Sequence, residues 1–481
     1  MPAFSETDRS LVPNQSGQYQ AYNLSNYRSI PQLDRLTESQ IEAIEVVGRV
    51  LPFKTNTYVV NHIIDWDRVP NDPMFRLTFP QRDMLLPHHY EQVYLALKRG
   101  AGTWLDRTVA RIRTELNPHP AGQTTDNIPV LEGRPVPGIQ HKYPETVLFF
   151  PSQGQTCHAY CTFCFRWPQF VATEAGKFAS SEIETLIAYL RAHPRVTSVL
   201  FTGGDPLVMK TAILRRYVSA LVGAKLPNLR TIRFGTKSLS YWPERFLDAP
   251  DADDLLRLFE ETVQAGIGVA FMAHFNHPVE LSTNAVRRAV RRINATGAVI
   301  RTQSPLLRGI NDDPNLWSEM WREQVGLGMI PYYMFLVRDT GASHYFGVPL
   351  VEANEIYTHA YRNVSGLART VRGPSMSAHF GKIQVLGPVT IDRRRLLALQ
   401  FIQGRNPEWV GSPFFAEYNA EAQWIDDLKP AFGGAKFFFE EPSRYSEWLA
   451  KPKGNRECET YAPKPTPKSR IGFPPFAAPW Q

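Results

Sequence analysis

Cys157, Cys161 and Cys164, in the run TCHAYCTFCFRW, are three of the four cysteines in 481 residues. A CxxxCxxC triplet on one loop suits three irons of a 4Fe–4S cubane and leaves the fourth iron open to a small molecule. The fourth cysteine, Cys458, lies in the C-terminal tail and reads as a lone thiol. Zinc or three buried thiols are the alternatives; His158 is adjacent, but structural zinc spacings are usually built from two separated pairs. The triplet follows the apolar run Val147-Leu148-Phe149-Phe150, so it falls after a strand, where barrel enzymes carry their chemistry. About forty residues on, SVLFTGGDPL closes a second strand-like run. There Gly203 and Gly204 permit close backbone approach to a ligand, and Asp205 offers a carboxylate.

These loops need a scaffold, and the pattern supplies one. Apolar strand-like runs at 145–151, 197–202, 230–236, 267–274, 298–303 and 330–337 alternate with helix-period segments such as 180–193 and 251–266. Six strands alternating with helices predict an α/β fold with a parallel sheet. Ahead of them, residues 32–140 read as a helical region. Thr37 and Gln40 form a capping box opening a helix that ends before Pro52. Residues 1–31 are polar and read as an N-terminal arm. Residues 391–481, aromatic and then Pro-rich, read as an irregular C-terminal extension. Residues 141–390 are left as the core.

Composition narrows the class. At 43 % hydrophobic residues the chain can bury a large core, and its net charge of +7 could hint at nucleic acid. The most basic stretch, RRAVRRINATG at 287–297, alternates with apolar residues and reads as a solvated helix face, so no nucleic acid is expected. No apolar run approaches eighteen residues, so no membrane span is expected either. Few cysteines and an oxygen-labile cluster predict a reducing, cytoplasmic setting.

CxxxCxxC followed by a GGD strand end resembles the radical S-adenosylmethionine enzymes, and within them the lysine 2,3-aminomutase family. The stretches that carry the resemblance are PFKTNTYVV (52–60), VPNDPMFR (69–76), HKYPETVLF (141–149), CHAYCTFCFR (157–166) and FTGGDPL (201–207). HFNHP (274–278), QSPLLRGIND (303–312), PYYMFLV (331–337) and SGLA…GK (365–382) continue it in colinear order over about 330 residues.

The resemblance implies a partial (β/α)6 barrel. It also implies a 4Fe–4S cluster on Cys157, Cys161 and Cys164, and S-adenosylmethionine held near Gly203, Gly204, Asp205 and Gln303. Pyridoxal 5′-phosphate would form an imine with Lys382, with Lys142 and Tyr143 facing its phosphate and ring. Thr146 stands where the family has an arginine, and the family's glycines before the lysine are Ser377, Ala378, His379 and Phe380 here. Arg166 would hold the carboxylate of an amino acid substrate, for which a planar bidentate fork is suited. The two aspartates that receive lysine's side-chain ammonium fall, without gaps, on Arg338 and Ser375.

The implied activity is an isomerase that moves an α-amino group to the β-carbon through a 5′-deoxyadenosyl radical, on an amino acid other than lysine. An external electron donor such as flavodoxin or ferredoxin is implied, and a homo-oligomer is compatible with it. Two rival readings remain at this point: a radical enzyme without pyridoxal phosphate performing another rearrangement or oxidation, and a non-catalytic iron–sulfur or zinc scaffold.

Overall fold

The structure, a computed structural model, describes residues 19–100, 102–120, 126–171 and 179–440. The chain falls into a unit Met1–Gly433, which carries every element below, and Gly434–Gln481. The first unit is organised on one 11-stranded sheet whose spatial order follows the sequence. Strand β1 (Ile139–Tyr143) runs antiparallel to β2 (Thr146–Phe149). β2, β3 (Ser198–Phe201), β4 (Thr231–Thr236), β5 (Gly268–His274), β6 (Val299–Pro305) and β7 (Ile330–Phe335) are parallel, as the apolar runs predict. A seventh parallel strand, β8 (Arg372–Ser377), follows. Its pairing with β7 is irregular, and Gly373-Pro374 hides it in the sequence because glycine and proline break strand patterning. The parallel order contains no reversal, unlike a doubly wound sheet, which turns back at a switch point.

The sheet's two faces differ. On β4 the residues alternate half-buried and buried, with Ile232 and Phe234 fully covered. Phe234 packs 5.4 Å from Phe259 of helix Ala252–Gln264 and 6.0 Å from Phe271 on β5. Each such side chain contributes roughly 1.5–3 kcal/mol by leaving water. The opposite face of β4 carries Thr231, Arg233 and Gly235, and it is the half-buried one. An all-parallel sheet usually buries both faces under apolar side chains; here one face keeps polar groups.

Two terminal expectations change. Residues 19–31 are not a loose arm: Ala21–Asn23 pairs with Lys54–Asn56, and Tyr27 and Ile30 are buried. Apolar anchors among the polar residues tie it down. Residues 391–417 are regular, not irregular. β9 (Gly381–Ile391), β10 (Arg394–Gly404) and β11 (Pro413–Glu417) extend the sheet antiparallel beyond β8. Asp392 and Arg393, both at positive φ, turn the β9–β10 hairpin, and Leu396, Leu397 and Leu399 bury the return strand. Cys458 lies outside the described residues.

The expected N-terminal helix runs Glu38–Val50 and carries the Thr37–Gln40 capping box. With helices Pro87–Lys98 and Gly102–Glu115 it forms a cluster including Ile44, Val47, Tyr90, Val93 and Ile112. Trp167 and Leu307 join that cluster, so the helical region and the cysteine loop share one core. Among the described residues no helix is long and apolar enough to cross a membrane.

Candidate active site

Cys157, Cys161 and Cys164 are half-buried free thiols on the loop after β2. The loop is anchored by residues far away in sequence. Lys54 Nζ donates to the Cys157 carbonyl at 2.7 Å, and the Tyr160 amide donates to the Lys54 carbonyl at 2.7 Å. The Thr162 hydroxyl donates to the Arg76 carbonyl, and its amide to that of Leu77. Burial pushes the Cys161 thiol up to about 12 and that of Cys164 to about 11. Cys157 is also raised, by burial and then by Asp205 and the other two thiols. Three thiolates crowd one another here unless a multivalent cation is shared among them, and metal binding drives such deprotonation.

His158 does not join them as a ligand. Its Nδ1 lies 3.0 Å from the Ser238 hydroxyl, its ring packs against Tyr19 and Trp242, and burial lowers it to about 3. It is a neutral packing residue, and the donor set facing the site is sulfur alone. That set suits an iron–sulfur cluster with an open iron.

Gly203 and Gly204 have a role that the motif did not reveal. A Cβ on Gly203, which sits at φ +130°, would overlap the Gln155 side chain; one on Gly204 would overlap the Thr156 backbone. The Asp205 amide donates to the Thr156 carbonyl at 2.7 Å. The glycines therefore bring the β3 end against the residues just before Cys157. Gly204→Ala is expected to cost about 1–3 kcal/mol by overpacking and to lower iron content, read by thermal unfolding and iron analysis.

The Asp205 carboxylate is fully engaged. It accepts from the Thr236 and Ser238 hydroxyls at 2.8 and 2.9 Å, and from the Leu207, Lys237 and Ser238 amides at 3.0, 2.8 and 3.1 Å. It ties β3 to β4, so what this strand end can offer a ligand is backbone. Gln303, at the end of β6, contacts His274 Nε2 on β5 at 2.8 Å and stays on the half-buried face.

Lys237 and Glu280 were not singled out by the sequence. They form a buried ion pair, with Lys237 Nζ 3.0 Å from Asn276 Oδ1 and 4.3 Å from the centre of the Tyr241 ring. The Tyr241 hydroxyl lies 3.9 Å from Cys161 Sγ. The HFNHP stretch, with Asn276, holds this network beneath the cysteines.

Lys382 lies on β9 opposite Ser377 and Gln403. Its Nζ sits over the rings of Tyr333, Phe335 and Tyr143, at 4.3, 5.6 and 5.7 Å. Burial, then Arg233, Arg372 and Arg338, lower its ammonium from 10.5 to about 7. A lysine that loses its proton near neutrality is a competent nucleophile toward an aldehyde. Lys142 donates to the Ala378 carbonyl and is pushed well below its ordinary value, first by burial. The Tyr143 hydroxyl is buried without a hydrogen bond of ordinary geometry. An aromatic floor, a lysine that loses its proton near neutrality and a buried tyrosine hydroxyl near Ser377 fit a phosphorylated pyridine aldehyde.

Arg166 and Arg338 approach each other across Phe165, whose ring centre lies 5.1 and 4.5 Å from their guanidinium carbons. Burial and the neighbouring Arg338 lower Arg166 to about 10. Neither has an ion-pair partner among the described residues. Asp339, next in sequence, turns instead to His119 at 3.2 Å. A cleft of about 310 Å³ beside Arg338 is lined by His119, Asp339 and Trp424, among others. The Arg338 guanidinium donates to the Ser377 hydroxyl at 3.1 Å. Ser375 is buried in β8 with its hydroxyl toward the Met334 carbonyl, so Ser377, rather than Ser375, is the hydroxyl at Arg338.

No protein-family model matches the chain. A putative L-lysine 2,3-aminomutase of Aquifex aeolicus is 32 % identical over 398 residues, covering 82 % of this chain and 92 % of that protein. The L-lysine 2,3-aminomutase of Haemophilus influenzae is 30 % identical over 258 residues, covering 52 % and 72 %. That of Bacillus subtilis is 28 % identical over 237 residues, covering 49 % and 47 %. Among solved structures, Streptococcus suis SuiB bound to S-adenosylmethionine aligns with a TM-score of 0.32 at 11 % identity, over 56 % of each chain. Native anSMEcpe with bound AdoMet aligns with a TM-score of 0.33 at 12 % identity, over 46 % of this chain and 59 % of its own.

Proposed function

The chain belongs to the lysine 2,3-aminomutase family of radical S-adenosylmethionine enzymes, and from that premise we propose that it is a pyridoxal phosphate-dependent 2,3-aminomutase for a non-lysine α-amino acid. The preferred side chain is acidic or neutral polar. The sequential parallel strands support reading the core as a partial (β/α)6 barrel, its cysteine loop beyond the end of the first parallel strand. When bound, the cluster with S-adenosylmethionine supplies a hydrogen-abstracting radical, and pyridoxal phosphate supplies the carrier for nitrogen migration.

The chain's own residues divide the remaining work. Cys157, Cys161 and Cys164 would hold three irons of the cluster, whose electron an external flavodoxin or ferredoxin would supply. The backbone at Gly203 and Gly204, together with Gln303, borders the S-adenosylmethionine site. Lys382 presents a neutral amine, while Tyr143, Tyr333 and Phe335 keep water from it. Arg166 orients the substrate's α-carboxylate with its planar fork.

The observation that carries the substrate reading is the Arg166–Arg338 pair stacked on Phe165, neither guanidinium in an ion pair among the described residues. A lysine ammonium buried beside Arg338 would meet a like charge, while the adjacent Asp339 carboxylate is turned to His119 at 3.2 Å, and such a placement is costly. A side-chain carboxylate or amide oxygen would instead accept from the guanidinium. Incubating the reduced, reconstituted enzyme with a panel of amino acids and assaying β-amino isomers tests this. Turnover is expected on glutamate or a neutral polar amino acid, at ten times or more the lysine rate, since each 1.36 kcal/mol of unfavourable pairing is about tenfold. Preferential isomerisation of lysine would overturn the reading.

A further inference from the structure

Thr146 stands where an arginine is expected, so by sequence the phosphate subsite is short of a cation; the fold brings one in from elsewhere. Thr146 pairs with Tyr143 across the β1–β2 turn, which places it beside Lys142 and Tyr143. Arg233 projects from the half-buried face of β4, and its Nη2 donates to the Thr146 hydroxyl at 3.1 Å. Its Nε is buried without a hydrogen-bond partner. Among the described residues no carboxylate forms an ion pair with it.

The neighbouring cations are less suited to the task. Arg301 and Arg372 lie over the Tyr332 ring at 5.2 and 5.0 Å, and Arg372 also donates to the Tyr333 hydroxyl at 3.3 Å. Lys142 spends its ammonium on the Ala378 carbonyl. A guanidinium keeps its charge when buried and offers a fork matched to phosphate oxygens, whereas a buried ammonium readily loses its proton.

We propose that Arg233, with the Thr146 hydroxyl, binds the phosphate of pyridoxal phosphate, so that the cation expected on β2 is supplied from β4. This rests on the reading that Lys382 carries that cofactor. The site then has its aldehyde-reactive amine on β9 and its phosphate clamp on β2 and β4, with Arg233 the foremost charge acting on Lys382.

The test uses full-length, cluster-reconstituted protein titrated with pyridoxal phosphate and with pyridoxal, followed by absorbance, borohydride trapping and peptide mapping. Wild type should load Lys382 and prefer the phosphorylated form. Arg233→Gln should keep its iron, still be trapped at Lys382, and weaken pyridoxal phosphate by roughly 10- to 100-fold, the range for a hydrogen bond to a charged group. Pyridoxal, which shares with pyridoxal phosphate only the loss that a less depressed Lys382 ammonium brings, should weaken far less, so that the preference for the phosphorylated form collapses. Adding Thr146→Arg to Arg233→Gln should restore most of the loss. Should Arg233→Gln lose its iron, phosphorus NMR of the cofactor bound to wild type remains decisive. A clamped phosphate holds its dianion resonance well below the free second pKa of about 6, and a resonance titrating as free phosphate would overturn the proposal. So would an Arg233→Gln protein that loads Lys382 with wild-type affinity. Failure of wild type to load Lys382 at all would instead remove the cofactor reading, and the clamp with it.

Discussion

Alanine at Cys157, Cys161 or Cys164 is expected to abolish both cluster assembly and release of methionine from S-adenosylmethionine. Each change leaves two thiolates for a cubane that needs three protein ligands if one iron is to stay open. The loss should be complete, because a radical enzyme without its cluster retains none of the enhancement of about 10⁶-fold or more that separates catalysis from background. Cys458→Ala, in the C-terminal tail, should retain iron and methionine formation. Iron and sulfide per chain, with methionine counted in a single turnover, check all four variants. A Cys458→Ala protein as empty as the triplet variants would show that the cluster has four protein ligands and no open iron.

The second large effect concerns Lys382. Lys382→Ala should keep the cluster, lose the covalent pyridoxal phosphate adduct trapped by borohydride, and lose turnover by about four orders of magnitude or more, as when a covalent catalytic group is deleted. A pH dependence accompanies it. The ammonium is lowered to about 7 by burial and by Arg233, Arg372 and Arg338. Reloading of apo-protein should therefore quicken about tenfold per pH unit below 7, as the neutral amine becomes available, and level off above it. An unperturbed lysine would keep gaining rate up to about pH 10. Stopped-flow absorbance of cofactor binding distinguishes the two profiles. A Lys382→Ala protein that is fully loaded and active would leave the enzyme without its assigned linkage.

The cysteine triplet, the GGD strand end and the alternation of apolar runs with helices are legible because each is a local pattern with a fixed period or spacing. Lys382, too, is reached by spacing, although four bulkier residues replace the glycines before it. What escapes the sequence is what depends on which strand lies beside which. Arg233 in TIRFGT reads as an ordinary strand residue; only its placement opposite the helix-packed Ile232 and Phe234 turns it toward Thr146. The alternation carries a faint signal of this, since an arginine on a parallel strand has no ordinary solvent-facing side to occupy. Asp205 shows the reverse: its motif suggests a ligand carboxylate, while its oxygens are consumed by the neighbouring strand end. β8 was concealed by Gly373-Pro374, and β9 and β10 by a turn made from Asp392 and Arg393 instead of glycine.

The seating of Arg166, Arg233, Arg338 and Lys382, none of them in an ion pair among the described residues, has a thermodynamic side. Gathering these cations in a buried site stores repulsion in the folded chain, as their lowered pKa values reflect. Phosphate and carboxylate groups arriving from outside release that repulsion, and they have nothing comparable to bind in the unfolded chain. On the proposed function, the cofactor and substrate would therefore also be folding ligands. Each adds RT ln(1 + [L]/Kd) to stability, about 2.7 kcal/mol at a hundredfold excess over Kd. Supply of cofactor and substrate would thereby set how long the polypeptide survives as well as how fast it turns over.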